Sequence, residues 1–236
     1  MPSIRYTHNK HEFKARRILQ VVTDVDHYLD HPDHPTGLWL GELSHSWDVF
    51  FNAGFEQTIV SPTGGMAPID PRSIRFPNFD ASTRAWYKDP AKMALLDSVA
   101  PASSVDAGDY EAIFFTGGHG AMYDFPGSEE LKALARGIFD AGGVVASVCH
   151  GYCALLETDL VRGQVLTGFS WAEEVLAGVA DLVPYNVEQS MRERGATFRK
   201  GLLPFAPHTE VSGRLVTGQN PGSARATAHK VIEALG

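Results

Sequence analysis

Short apolar runs and segments of helical periodicity alternate along most of the chain. β-branched or apolar runs are typical of buried strands, whereas apolar residues recurring every three to four positions indicate helices. The predicted strands cover residues 17–23, 55–61, 112–116, 144–148, 164–167 and 215–217. The predicted helices cover residues 37–53, 128–141, 152–156, 171–177 and 187–194, and a last one opens at Asn220-Pro221. This alternation predicts an α/β fold, a doubly wound, mostly parallel sheet with helices on both faces.

The apolar run Val144 to Val148 ends abruptly at Cys149-His150-Gly151, and β alternation is lost after it. A nucleophile on a sharp strand-to-helix turn projects above the carboxyl edge of the sheet. Free N–H groups and positive partial charge at the start of the next helix should favour a thiolate. A lone cysteine is more often a small buried residue. However, core strands seldom end in this trio, so a catalytic or redox role is predicted for Cys149.

Two further loops are expected to meet this elbow, because parallel sheets bind ligands at the carboxyl ends of their strands. They follow the strands 17–23 and 112–116, and the second contains Gly117-Gly118. A phosphate-binding loop is not favoured, since no Lys-Ser/Thr follows. The favoured interpretation is an oxyanion pocket formed by the N–H groups of Gly118 and His150, with an ordinary tight turn as the alternative.

Glu42 stands out as a carboxylate among apolar residues near the start of the 37–53 helix. On a helical wheel it lies about 60° outside the edge of the apolar stripe, which is compatible with a solvated side chain. Partly apolar surroundings would instead raise its pKa and suit it to proton transfer near neutral pH. The residues alone leave both interpretations open.

Length, composition and net charge limit the classes of protein that fit this chain. The chain has 236 residues, 44% of them apolar, and a formal net charge of −8. This predicts one α/β domain over residues 17–236 after a polar tail over 1–16, and no nucleic-acid or anionic-membrane partner. The tail lacks the apolar segment of a signal peptide, no run reaches membrane-spanning length, and two cysteines do not make a disulfide framework. A cytoplasmic protein is therefore expected.

The segment 24–35 contains His27, His31 and His34 among several aspartates. Such a donor set could bind zinc or another transition metal. Prolines interrupt the segment and leave no fixed spacing, so the favoured interpretation is a hydrated acidic loop that gates the site. No metal and no cofactor are predicted.

Several motifs together resemble the ThiJ/PfpI superfamily and, within it, the heat-shock glyoxalase III branch. They are the elbow 146–151, Gly117-Gly118-His119-Gly120 with Asp124-Phe125-Pro126, Thr36-Gly37 to Glu42, and the run 61–65 with Pro68-Ile69-Asp70-Pro71. The stretches 166–174 and 215–221 extend the resemblance, which covers nearly the whole chain from Ile18 onward. It implies a flavodoxin-like fold similar to that of class I glutamine amidotransferase domains.

The resemblance also implies roles for individual residues. Cys149 matches the superfamily's nucleophile, and Glu42 matches the acid on its first helix. A Cys-His-acid triad would comprise Cys149, His150 and Glu174. Glu173 is an alternative third member, and both glutamates could instead be a solvated first helical turn.

Gly118, His119 and Tyr152 are the residues expected at the substrate or oxyanion site. Tyr152 and Cys153 depart from the Pro and Ala that the branch often has after the elbow. Tyr152 could narrow the pocket or donate a hydrogen bond to a bound oxygen. For Cys153 a small buried residue is favoured over a resolving cysteine.

The resemblance implies a cofactor-independent glyoxalase that converts methylglyoxal or a similar 2-oxoaldehyde to a 2-hydroxy acid. The route would be a hemithioacetal on Cys149, with Glu42 moving a proton between two carbons. The expected partners are a small-molecule substrate and a second copy in a homodimer. Alternatives are cysteine-dependent isonitrile hydration or amide or peptide hydrolysis, and a non-enzymatic stress role as chaperone or redox sensor.

Overall fold

The structure, a computed structural model, describes residues 16–236, so the predicted tail over 1–16 lies almost wholly outside the described residues. The strands are β1 Arg17–Val21, β2 His27–Tyr28, β3 His31–Pro35, β4 Glu56–Ser61, β5 Ala100–Pro101, β6 Ala112–Phe115, β7 Val144–Val148, β8 Val165–Leu166, β9 Thr197–Phe198, β10 Thr209–Ser212 and β11 Leu215–Gly218. The α-helices are α1 Leu40–Asn52, α2 Ala81–Lys88, α3 Pro90–Asp97, α4 Ala121–Asp124, α5 Glu129–Asp140, α6 Trp171–Leu176, α7 Val187–Glu193 and α8 Ala224–Leu235.

Seven strands form the central sheet in the order β10-β11-β7-β6-β1-β4-β5. Every described neighbour pair in it is parallel except β10 with β11. The chain winds outward from β1 to β4 and β5 on one side, and from β6 to β7 and β11 on the other. The strand order therefore reverses between β1 and β6, the place where such sheets form a ligand crevice at their carboxyl edge. The predicted doubly wound α/β fold is confirmed.

Both faces of the sheet are buried, as expected for parallel strands. One face carries Ile18 and Phe114, which belong to an apolar cluster with residues of α1 and α8. The opposite face carries Leu19 and Ile113, which belong to a cluster with residues of α5 and of the segment that follows β7. Because side chains alternate along each strand, this two-sided burial fixes the register of the sheet.

The predicted boundaries hold to within a few residues for most of these elements, but local turns differ. The helix predicted over 152–156 is a 3-10 helix that already begins at the elbow, over Cys149–Leu155. The last helix is preceded by a 3-10 turn over Pro221–Ser223. The short strand near residue 165 pairs with β9 in a separate two-stranded sheet. Helices α2 and α3 and the edge strand β10 were not predicted.

The elbow after β7 has the backbone conformation that a nucleophile on a sharp turn requires. Cys149 has a φ of 55°, in the left-handed region that non-glycine residues rarely adopt. Gly151 packs so closely against the Phe115 carbonyl oxygen that a Cβ would overlap it. The turn is thus pressed onto the end of β6, and this contact places the cysteine beside the loop that follows β6.

No helix in residues 16–236 is long and apolar enough to cross a membrane.

Candidate active site

A cavity of about 790 Å³ opens at the carboxyl edge of the sheet, beside the point where the strand order reverses. Gly118, His119, Cys149 and His150 line it, so the elbow and the loop after β6 do meet there. Trp39 and Phe169 supply apolar wall. The predicted convergence is confirmed for the loop after β6, whereas the loop after β1 contributes no residue to the cavity wall.

Cys149, His150 and Glu174 form a hydrogen-bonded series. The Cys149 Sγ lies 3.3 Å from His150 Nδ1, and His150 Nε2 lies 2.6 Å from Glu174 Oε1. An ionised carboxylate only accepts hydrogen bonds, so His150 Nε2 carries a proton. In the neutral ring Nδ1 is then the acceptor, and it faces the sulfur.

Glu173, the alternative third member, has a structural role. It completes a capping box with Ser170 at the start of α6. Its Oε1 accepts hydrogen bonds from the Phe205 N–H at 2.8 Å and from Asn220 Nδ2 at 2.9 Å. Both glutamates are buried, so neither belongs to a solvated helical turn. The geometry therefore selects Glu174 as the partner of His150.

The pKa of Glu174 reflects two opposing influences. Burial by itself raises it, but the His150 and His119 rings outweigh burial and hold it well below the usual range. His119 Nε2 lies 2.9 Å from Glu174 Oε2, so each carboxylate oxygen faces one histidine. Glu174 is consequently ionised at neutral pH.

Glu42 is fully buried in the first turn of α1, and the solvated interpretation is wrong. Its Oε2 accepts the Gly117 N–H at 2.6 Å. Its Oε1 makes no regular hydrogen bond to any described residue, while the side chain interacts with the Cys149 thiol. One oxygen is thus anchored and the other is available to a reacting group.

The Cys149 thiol and the Glu42 carboxyl both hold their protons more tightly than usual. Burial raises the pKa of Glu42 to about 8. Burial, followed by the Glu42 carboxylate, raises the pKa of Cys149 well above its ordinary value, although the His150 N–H opposes the shift. The prediction of a thiolate favoured by a helix N-terminus is therefore wrong for the free protein, because desolvation exceeds the effect of a single 3-10 turn. The thiol needs a proton acceptor, and His150 Nδ1 is in place.

The residues that carry the predicted oxyanion donors, Gly118 and His150, line the cavity together with Cys149. The Gly118 N–H has no hydrogen-bond partner among the described residues, and the residue lines the cavity. The His150 N–H points at Cys149. Gly118 has a φ of 112°, and a Cβ there would overlap the Gly37 carbonyl oxygen. The loop after β6 can therefore approach the segment before α1 this closely only with glycine at position 118.

Tyr152 and Cys153 are not brought to the cavity. The Tyr152 side chain is fully buried, and its hydroxyl donates to the Phe169 carbonyl oxygen at 2.8 Å. Its predicted place at the substrate site is not supported, because the 3-10 turn directs the Tyr152 ring into the apolar cluster on the α5 side of the sheet. Cys153 is likewise fully buried in that core, as the favoured interpretation holds.

The segment 24–35 forms the hairpin of β2 and β3. It contributes no residue to the cavity wall, so the predicted gate is not supported. Within this hairpin, Tyr28 contacts a residue of the site: its ring packs on the His119 ring at a centroid distance of 5.4 Å.

Arg72 and Asp70 belong to the site but were not predicted as functional. Asp70 was noted only within a motif, and Arg72 follows it by two residues. The Arg72 side chain lines the cavity, and one of its terminal nitrogens lies 3.0 Å from His119 Nδ1. An arginine beside a Pro-rich turn carries no chemical pattern of its own, so its role depends on the tertiary contact.

Among residues 16–236, His119, His150 and Glu174 are the only group whose possible metal-ligand atoms lie within 4.8 Å of one another. Those atoms are already hydrogen-bonded to each other. His27, His31 and His34 form no such group.

The doubly wound fold and the Cys149-His150-Glu174 series at the elbow define a class of protein. A family model identifies the same class. The DJ-1/PfpI family model matches residues 39–234, and the chain belongs to that family. The resemblance noted in the sequence is confirmed.

Particular proteins from several organisms are similar to this chain over most of its length. The chain is 30% identical to Glyoxalase 3 of Candida albicans, with 92% of this chain and 98% of that protein covered. It is 31% identical to the glutathione-independent glyoxalase HSP31 of Saccharomyces cerevisiae, with 93% and 98% covered. The crystal structure of the Candida albicans glyoxalase III has a TM-score of 0.83 and 30% identity, covering 93% of this chain and 97% of that one. The Rapid Encystment Protein of Francisella tularensis has a TM-score of 0.88 and 31% identity, covering 94% and 99%.

Proposed function

We propose that this protein is a glutathione-independent glyoxalase that converts methylglyoxal or a similar small 2-oxoaldehyde to a 2-hydroxy acid. One observation carries the proposal: a buried carboxyl with an anchored oxygen and an available one interacts with a thiol, and that thiol also faces a histidine nitrogen. Such a site offers a nucleophile and two proton carriers. The names of the relatives support the same reaction.

The first step forms a carbon–sulfur bond. Cys149 Sγ attacks the aldehyde carbon, its proton passes to His150 Nδ1, and Glu42 gives its proton to the aldehyde oxygen. The product is a neutral hemithioacetal, with an imidazolium beside Glu174 and a carboxylate at Glu42. The N–H groups of Gly118 and His150 stabilise negative charge on the oxygen as it develops.

The second step moves hydrogen between neighbouring carbons. Glu42 removes the proton from the former aldehyde carbon while His150 protonates the ketone oxygen, which gives an enediol. Glu42 then returns its proton to the second carbon, and the hydroxyl proton on the first carbon passes to His150. The first carbon is oxidised to a thioester and the second is reduced to an alcohol, so no external oxidant is required.

Hydrolysis completes the cycle. Water attacks the thioester carbon and gives a proton to Glu42, and the departing sulfur takes the proton held by His150. The free acid leaves, and thiol, neutral histidine and protonated carboxyl are restored.

The test is incubation of purified protein with methylglyoxal in the absence of glutathione, with lactate measured by a chiral assay. Cys149→Ser should reduce turnover to below about 1% of normal, because serine is a poor nucleophile at neutral pH. Cys153→Ser is the matched control and should retain near-normal turnover, because that thiol lies in the core. Lactate formation by Cys149→Ser would disprove the covalent route. No lactate from the unaltered protein would exclude methylglyoxal as the substrate, and no 2-hydroxy acid from glyoxal or phenylglyoxal either would disprove the function.

The redox-sensor alternative receives less support from the site. Sensor cysteines combine a low pKa with exposure to solvent. Cys149 is only 3% exposed, and its pKa is raised.

A further inference from the structure

Arg72 connects the buried Asp70 to the histidine that contacts Glu174. Its Nε lies 3.0 Å from Asp70 Oδ1, and a terminal nitrogen lies 2.5 Å from Oδ2. Asp70 is fully buried and also accepts a hydrogen bond from Thr36 Oγ1 at 3.1 Å. Because a two-point pair fixes the plane of a guanidinium, the direction of the remaining N–H groups is set.

The same terminal nitrogen of Arg72 lies 3.0 Å from His119 Nδ1. A guanidinium has no acceptor, so Nδ1 must present its lone pair. The proton of the neutral ring is then on Nε2, which donates to Glu174 Oε2 at 2.9 Å. The hydrogen bonds therefore leave His119 a single neutral tautomer.

We propose that Arg72 is a positioning residue that fixes the tautomer of His119 and thereby secures Glu174 as an ionised acceptor. In the other tautomer the bare Nε2 would face a carboxylate oxygen, and the two lone pairs would repel. Glu174 would then rotate or bind a proton, and His150 would lose its partner. This role concerns the proton acceptor of Cys149 and does not depend on which substrate the thiol attacks.

The surroundings of His119 also separate the tasks of the two histidines. His119 faces Arg72, Glu174, His150 and Tyr28. Burial, followed by His150 and with a contribution from Arg72, lowers the pKa of His119 to about 4. Both histidines contact one carboxylate, but His119 stays neutral, and only His150 contacts the sulfur. His119 thus holds Glu174, whereas His150 carries protons.

The experiment is NMR of the imidazole nitrogens in the full-length protein. His119 should show the Nε2–H tautomer without titration from pH 5 to 9. In Arg72→Met, which removes the donor but keeps side-chain length, His119 should show a mixture of tautomers or titrate within this range. Arg72→Lys keeps a donor and should restore the single tautomer. Arg84→Met is the control, because Arg84 lies on α2 and donates to the Phe79 carbonyl oxygen rather than to His119 or His150.

Turnover gives a second measurement. If methylglyoxal is the substrate, Arg72→Met should lower kcat about tenfold with KM little changed, the lower end of the loss found when the hydrogen-bond partner of a metal-ligating side chain is removed. An Nδ1–H tautomer in the unaltered protein would overturn the proposal even if Arg72→Met failed to fold. An unchanged tautomer in a folded Arg72→Met would overturn it as well. Absence of lactate from the unaltered protein would count against the glyoxalase function alone, since the tautomer measurement needs no substrate.

Discussion

At the scale of single residues, the two oxygens of Glu42 have unequal surroundings. Oε2 is held by the Gly117 N–H, and Oε1 has no regular partner among the described residues. Glu42→Gln should preserve the anchored contact but remove proton transfer, so turnover should fall about 100-fold or more. Lactate production measures this loss, and intact-mass spectrometry should detect a substrate adduct on the variant. Near-normal lactate would instead assign the proton transfer to His150.

The pH profile identifies the same carboxyl. The first step uses the proton of Glu42, whose pKa burial raises to about 8. The kcat/KM of the unaltered protein should therefore decline as pH rises through about 8, and the residual activity of Glu42→Gln should lack that decline. A rise through the same pH would contradict the proposed protonation state.

Burial of Glu42 also has a cost in stability that depends on pH. Its pKa rises from 4.5 in the unfolded chain to about 8 in the folded protein. Below the unfolded value the carboxyl is protonated in both states, and the cost is absent. The cost grows between these pH values and is constant above about 8, where it amounts to about 5 kcal/mol.

Glu42→Gln removes this titration. Denaturant unfolding should show the variant more stable than the unaltered protein at pH 9, with a much smaller difference at pH 5. Equal differences at both pH values would show that the folded-state pKa is not raised.

At the scale of elements, the elbow depends on how closely it packs on β6. Gly151→Ala would place a Cβ against the Phe115 carbonyl oxygen, and backbone cannot move away as a side chain can. We expect a loss of about 3 kcal/mol in the free energy of unfolding, together with a loss of activity, because the same turn carries Cys149. Urea denaturation measures the first and lactate assay the second.

Gly127→Ala is the matched control for this element. Gly127 is exposed, and a Cβ there would meet nothing within 4 Å. It should leave stability and turnover nearly unchanged. If Gly151→Ala lowered the free energy of unfolding no more than Gly127→Ala does, the elbow would not be packed as described.

At the scale of the whole molecule, the β2–β3 hairpin lies outside the cavity wall. Replacement of His27, His31 and His34 together by alanine should leave kcat and KM nearly unchanged, and chelation should leave turnover unchanged, since each proton transfer has been assigned to a side chain of the site. Metal analysis of the purified protein accompanies the assay. Stoichiometric metal that is lost with activity in the triple variant would contradict both expectations.

The sequence by itself determined the alternation of strands and helices along the chain, the doubly wound class of the sheet, the elbow at Cys149 and the meeting of the Gly117-Gly118 loop with it. These features depend on local periodicity and on short runs of residues, which a single chain displays directly. The resemblance added Glu42 and Glu174. The residues alone had left Glu42 open, because a helical wheel describes one helix and not the Gly117 loop that covers its carboxyl.

Only the tertiary structure decided which side chains reach the cavity. Glu173 and Glu174 are adjacent, yet one closes a helix cap and the other meets two histidines. Tyr152 follows the nucleophile closely but turns into the core, whereas Arg72 is distant in sequence and contacts His119. Contacts between residues far apart in the chain depend on how elements pack, and desolvation at those contacts set the protonation of the Cys149–Glu42 pair, which no local pattern encodes.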